Sequence, residues 1–201
     1  LGLSMSSIQA LLPLVARDLI GGGPLHYGVL LGAFGLGAIL AGLFGHRLRE
    51  RFSSEAYMRL NHLAAAFSAA ALPFAGNILA ALPIMLVGGA AWLLSFAFCN
   101  MSIQLSAPRW VVGRALATYQ TAAFGGMALG SWLWGEVAAD WGVAAGLQIS
   151  AGTALVTMLI GVWLPMPELG RLKLDPIQPP PVPELAIDLE ARSGPVVVMV
   201  E

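Results

Sequence analysis

The 201-residue chain is 58% hydrophobic and 10% charged, with a mean hydropathy of +0.79, proportions at which a water-soluble fold could not cover its own surface. Its 10 basic and 11 acidic residues nearly cancel, so bulk charge points to no nucleic-acid partner and the information lies in where each charge sits. The one cysteine, Cys99, lies in an apolar run, which excludes a disulfide framework or a CxxC metal site and leaves it to pack as a small apolar residue.

A bilayer core needs roughly 20 predominantly apolar residues per helix. The gaps between charged side chains predict six such spans, at about 1–16, 27–46, 57–75, 79–105, 115–136 and 142–165. The chain opens at Leu1 on an uncharged stretch with no basic segment before it, so a signal peptide is not expected and the sequence reads as a fragment. The second span follows the turn signal Gly21, Gly22, Gly23, Pro24. From Leu60 to Pro108 there are 49 uncharged residues, enough for two spans around a break supplied by Pro73, Gly76, Asn77 and Pro83. Glu136 and Asp140 are expected to mark the turn between the last two spans.

The loops alternate in charge. Arg47, Arg49, Arg51 and Arg59 flank the second connection, Arg109 and Arg114 the fourth, and Arg171 and Lys173 follow the last span, whereas the opposite side holds only Arg17. The positive-inside rule therefore places the basic loops and the tail in the cytoplasm and sends the first helix outward. Arg17, Asp18, Glu136 and Asp140 read as solvated anchors at the outer ends, and His26, His46 and His62 as surface histidines without metal-pair spacing.

Small residues let helices approach closely in lipid. In the second span Gly28, Gly32, Gly35, Gly42 and Gly45 share one helical face, and the device recurs with Ala122, Gly126 and Gly130 in the fifth span and Gly142, Gly146 and Ser150 in the sixth. These faces are expected to be helix contacts. Neutral polar groups remain inside: Ser4, Ser7, Gln9, Asn100, Gln104, Tyr119, Gln120 and Gln148. Of these, Gln9, Asn100, Gln104, Tyr119, Gln120 and Gln148 are the substrate-cavity candidates; bonding across helices is an equal alternative for them. Trp92 and Phe96 add aromatic surface suited to a large, partly apolar substrate, while Trp132 and Trp134 read as an interfacial belt.

The stretch Gly42, Leu43, Phe44, Gly45, His46, Arg47, Leu48, Arg49, Glu50, Arg51 resembles the second, degenerate copy of the major facilitator loop motif. Gly42, Arg47 and Arg51 match it; His46 replaces its aspartate, Arg49 its glycine and Glu50 a basic residue. The runs Ala10 to Leu19 and Pro108 to Ala115 are similar to the transmembrane secretion effectors, the branch of the enterobactin exporter. The likeness covers about residues 1–168. It implies an all-α integral membrane fold, the C-terminal six-helix half of a 12-helix transporter, with a missing N-terminal six-helix half as partner. It also implies secondary active transport by alternating access, as proton-coupled efflux of a small molecule such as a siderophore or drug across the cell inner membrane.

Some members carry a soluble domain after the last helix. Residues 169–195 read as a proline-rich cytoplasmic linker, and 196–201, with Val196, Val197 and Val198, as the opening of such a domain. No mid-span Asp or Glu is present, so a coupling carboxylate is expected in the missing half. No cofactor, phosphate loop or metal site is predicted. An intramembrane serine protease is disfavoured, because Ser131 lacks a GxSxG setting and no histidine is expected mid-span. A non-transporting six-helix scaffold or sensor is the alternative, since its packing faces and loop charges would look alike.

Overall fold

The computed structural model describes residues 2–163; the expected linker at 169–195, the segment at 196–201 and the end of the sixth predicted span lie outside the described residues. The described chain holds six α-helices: α1 (Gly2–Leu14), α2 (Pro24–Arg51), α3 (Ser54–Ala71), α4 (Ile78–Ser106), α5 (Val112–Trp141) and α6 (Val143–Trp163). A π-helical turn, Val15–Leu19, continues α1, and a 3₁₀ turn, Leu72–Phe74, continues α3. No strand occurs among the described residues. By length and composition α2, α4 and α6 are able to cross a bilayer; the other three are shorter or more polar.

Helix ends differ from the charge-gap boundaries for local reasons. Pro24 stands in the first turn of α2, where its fixed φ and missing N–H suit a helix start. The same helix runs on through Arg49 and Arg51 in its last turn, basic side chains that complement the negative end of the helix dipole. Gly42, Arg47 and Arg51 are consequently helical, and the connection to α3 is only Phe52 and Ser53. Ser53 caps α3, its hydroxyl accepting from the Ala56 N–H at 3.3 Å, with Glu55 in the first turn.

The break before α4 is made by Pro73 in the 3₁₀ turn, by Gly76 at φ 61° and by Asn77, whose side chain accepts from the Ala80 N–H at 2.9 Å. Pro83 takes no part in it. It lies inside α4, near the N-terminus, where it removes one hydrogen bond of the ladder. Likewise Glu136 and Asp140 lie within the last turns of α5, and the reversal falls at Gly142, whose φ of 88° belongs to the left-handed region that glycine adopts freely.

In the packing, α2 lies most extensively on α4, α1 on α5 and α3 on α6. Exchanging the first three helices for the last three turns the α1–α5 pair into the α4–α2 pair and leaves α3–α6 unchanged. Each of these pairings joins a helix of the first three-helix unit, α1–α3, to one of the second, α4–α6. The main core contains Leu11, Leu12, Val15, Leu30, Met85 and Leu147, all almost wholly buried. Outside it, large apolar side chains such as Leu25, Ile39, Leu43, Leu79, Leu129 and Leu159 are exposed, a surface that a bilayer rather than water covers.

The α2–α4 seam is a backbone contact. A Cβ on Gly37 would overlap the Leu86 carbonyl, and one on Gly89 would overlap the Phe34 carbonyl. Ala33, Gly37 and Ala41, spaced by four and all buried, form the small-residue stripe that α4 meets. Of the expected stripe, Gly42 and Gly45 face Leu93 and Leu94 of α4, and the other three glycines do not. A Cβ at Gly28, Gly32 or Gly35 would meet nothing within 4 Å, because shared periodicity defines a face without naming the neighbour that covers it. Gly126 and Gly130 do sit against α1: a Cβ at 126 would lie 3.6 Å from the Leu3 nitrogen, and one at 130 would lie 2.6 Å from the Leu3 carbonyl oxygen. At Gly146 it would lie 3.3 Å from Leu11 Cδ1. Gly142 belongs to the turn and makes no such contact.

Candidate functional site

Residues at i and i+4 share a helix face, so Trp92, Phe96, Asn100 and Gln104 form one line along α4. The line continues across helices through aromatic contacts. Phe34 of α2 lies 6.1 Å from Trp92, centroid to centroid; Trp92 stacks on Phe96 at 5.8 Å with planes 4° apart; and Tyr119 and Phe124 of α5 each lie 6.0 Å from Phe96. These separations are those of interacting rings. Phe34 is buried, Trp92, Phe96 and Tyr119 are half-buried, and Phe124 is exposed, so the chain of rings runs from the core of the bundle to its surface.

Polar groups border the rings. The Asn100 Nδ2 donates to the Phe96 carbonyl at 2.9 Å, back along its own helix. Gln104 and Gln120 are exposed, on α4 and α5. The arrangement joins Tyr119 to the Phe96 face through its ring contact, with Asn100 and Gln104 along the same helix. It does not gather all six candidates. Gln9 is half-buried on α1, and Gln148 is exposed on α6, a helix that packs chiefly on α3, α5 and α1. Phe34 and Phe124 complete the ring chain although no residue pattern singled them out; the signal available was Phe124 one turn beyond Gln120.

Two residues differ from their sequence expectation. Trp134 is not interfacial: it is almost completely buried, and its indole N–H donates to the Leu3 carbonyl of α1 at 2.7 Å, while Trp132 is exposed. A buried indole seeks such a partner. His62 is buried rather than on the surface, and its Nδ1 lies 2.9 Å from the Met58 carbonyl oxygen, one turn earlier.

The π-helical turn after α1 carries the exposed pair Arg17 and Asp18. The guanidinium grips the carboxylate twice, Nε to Oδ1 at 2.5 Å and Nη2 to Oδ2 at 3.0 Å. That hydrogen bonding holds the Asp18 carboxyl below the usual carboxylate range and raises the Arg17 guanidinium. Among the described residues there is no group of three or more His, Cys, Asp or Glu able to hold a metal ion. A small internal cavity of about 10 Å³ lies among α1, α2, α3, α4 and α6, with Ser4, Ser7 and Ser150 in its wall.

Apolar helices with an apolar exterior define a multi-pass membrane protein. The transmembrane secretion effector family model matches residues 1–201, the full chain. The chain belongs to this family, within the major facilitator type of transporters. No curated protein and no solved structure matches it.

Proposed function

We propose that this chain is the C-terminal six-helix half of a 12-helix secondary transporter. It exports a small, partly apolar molecule, of the siderophore or drug kind, in exchange for protons across the cell inner membrane. All six helices span the bilayer, with the C-terminus, the linker 169–195 and a following soluble domain in the cytoplasm. Three helices per unit send the second unit into the bilayer from the opposite side, the inverted-repeat plan of alternating access. The observation that carries the reading is the ring chain Phe34, Trp92, Phe96, Tyr119 and Phe124 with neutral polar neighbours, a surface for a substrate with apolar faces.

Substrate meets this surface through Asn100, Gln104, Tyr119 and Gln120, with Gln9 and Gln148 contributing from α1 and α6. The missing N-terminal half supplies the opposite wall and the proton-coupling carboxylate. The open face of Gly28, Gly32 and Gly35 then packs between halves rather than within this one. The test is transport by the 12-helix protein in everted membrane vesicles, with an apolar fluorescent dye as probe. Uptake should need the proton gradient and fall at least about tenfold in the Phe96→Ala variant, the size of effect that loss of about 1.4 kcal/mol of binding would give. Uptake indifferent to a protonophore would remove proton coupling, and full activity of the variant would remove the ring chain from the pathway.

A further inference from the structure

At the end of the bundle that carries Arg47, Arg49 and Arg51, helices α2, α3 and α4 enclose a second cavity, of about 230 Å³. Its walls are apolar, from Leu93, Leu94, Ala97 and Phe98 of α4, and its polar groups are His46, Arg49 and Tyr57. Gly42 and Gly45 leave the space on the α2 side. A Cβ on Gly45 would already overlap Leu94 Cδ2, and one on Gly42 would stand 3.5 Å from Leu93 Cδ2. The cavity is distinct from the ring chain, which lies on α4 at Trp92 and Phe96 and turns toward α5.

Arg49 is short of partners. Its Nη1 reaches Met101 Sδ across the cavity at 2.8 Å, and a thioether is a weak acceptor for a guanidinium with five N–H donors. Among the described residues the ion pairs are Arg17 with Asp18 and Arg59 with Glu55, so neither Glu50 nor Glu55 pairs with Arg49. Arg47 lies over the Phe44 ring, 5.8 Å from its centroid, and also has no carboxylate. A cationic mouth over an apolar chamber is the complement of one kind of molecule, an anionic headgroup on an acyl chain. A guanidinium binds phosphate bidentately, and basic pockets between membrane helices hold anionic headgroups.

We propose that this cavity is a binding site for an anionic phospholipid. The phosphate sits on Arg49, with His46 and the Tyr57 hydroxyl at hand, and the first carbons of a chain lie against Leu93, Leu94 and Phe98. The site depends on the helices being in a membrane and not on what the protein transports. A free anion would share the Arg49 contact but leave the apolar walls unused.

The test is native mass spectrometry of the full chain released from nanodiscs of mixed phosphatidylglycerol and phosphatidylcholine. The unaltered chain should retain phosphatidylglycerol in preference, also in excess inorganic phosphate. Arg49→Gln should lower that retention about fivefold, Arg49→Lys less, and Gly42→Leu should lower it by filling the chamber with every charge in place. Arg109→Gln, at the turn after α4, should leave it unchanged. Helix content by circular dichroism identifies any variant that fails to fold, and Arg49→Lys against Arg49→Gln keeps the comparison decisive. No preference in the unaltered chain, or equal losses in Arg49→Gln and Arg109→Gln, would overturn the proposal. Displacement of the lipid by inorganic phosphate would also overturn it, by making the site one for a free anion.

Discussion

The α2–α4 and α1–α5 seams occupy equivalent places in the two three-helix units, yet they are held differently. On α2–α4 the contact is steric: Gly37 faces the Leu86 carbonyl and Gly89 faces that of Phe34. On α1–α5, Gly130 again allows close approach, but a directed bond is added, from the Trp134 indole to the Leu3 carbonyl. One seam has no room for a side chain on either partner. The other places a large side chain across the junction and ties it down. The same topology is therefore reached by two kinds of packing, and the second includes a buried indole-to-carbonyl bond whose removal leaves the shapes largely intact.

The largest effect is expected at Gly37. Replacing it with Leu sets a side chain against backbone that cannot turn aside, and should cost about 3 kcal/mol or more, read as loss of the folded species in detergent thermal unfolding. In the 201-residue chain by itself, Gly28→Leu on the same helix should leave the transition nearly unmoved, since nothing lies within 4 Å of a Cβ there. Equal effects from the two would erase the steric account of that seam. Next comes Trp134→Phe, which keeps an aromatic body but removes the interhelical bond to the Leu3 carbonyl, leaving that oxygen the Ser6 hydroxyl as a side-chain donor. Interhelical bonds in membranes are worth about 0.6–1.7 kcal/mol, and a loss in that range measured by the same unfolding assay would support the directed bond.

The smallest effect belongs to the end of α1. Because Asp18 has a lowered pKa in the fold, its pair with Arg17 favours folding above the ordinary unfolded value of about 3.9. That contribution disappears as pH falls through the folded value. The pair is exposed and exposed pairs contribute little. Melting curves of Asp18→Asn and the unaltered chain should nearly coincide at neutral pH and merge fully in acid; a large gap at neutral pH would mean that the π-helical turn is a third fastening.

Much of the architecture was legible because charge is costly in lipid. The six uncharged gaps fall on the six described helices, of which α2, α4 and α6 are long and apolar enough to cross a bilayer, and the Leu60 to Pro108 run is divided at the turn around Gly76. Helix ends were less legible. Gaps measure the apolar stretch that lipid requires, whereas Arg47 to Arg51 and Glu136 to Asp140 prolong their helices beyond it, being residues that a helix tolerates well. The glycine periodicity of α2 was visible, but Gly37, the glycine that makes the contact, falls outside that rhythm. Trp134 could not be told from Trp132 by position, since burial was decided by a carbonyl on another helix. Of the candidate site, Trp92, Phe96, Asn100 and Gln104 could be aligned by spacing, while the bridge to Tyr119, Phe124 and Phe34 required the fold.

The π-helical turn at Val15–Leu19 bears on how the gene can change length. There the Ile20 N–H bonds to the Val15 carbonyl at 3.1 Å and the Gly22 N–H to the Ala16 carbonyl at 2.8 Å, wider loops than the α-helical i to i+4 ladder. Such a turn is an α-helix holding a surplus residue. A one-codon deletion within it can be absorbed by tightening to ordinary helix, preserving the phase of the Leu11 and Leu12 face. The same deletion among Gly37 and its neighbours would rotate the contact surface by about 100° and part α2 from α4. Natural length variation should therefore gather at the end of α1 and be purged from the middle of α2.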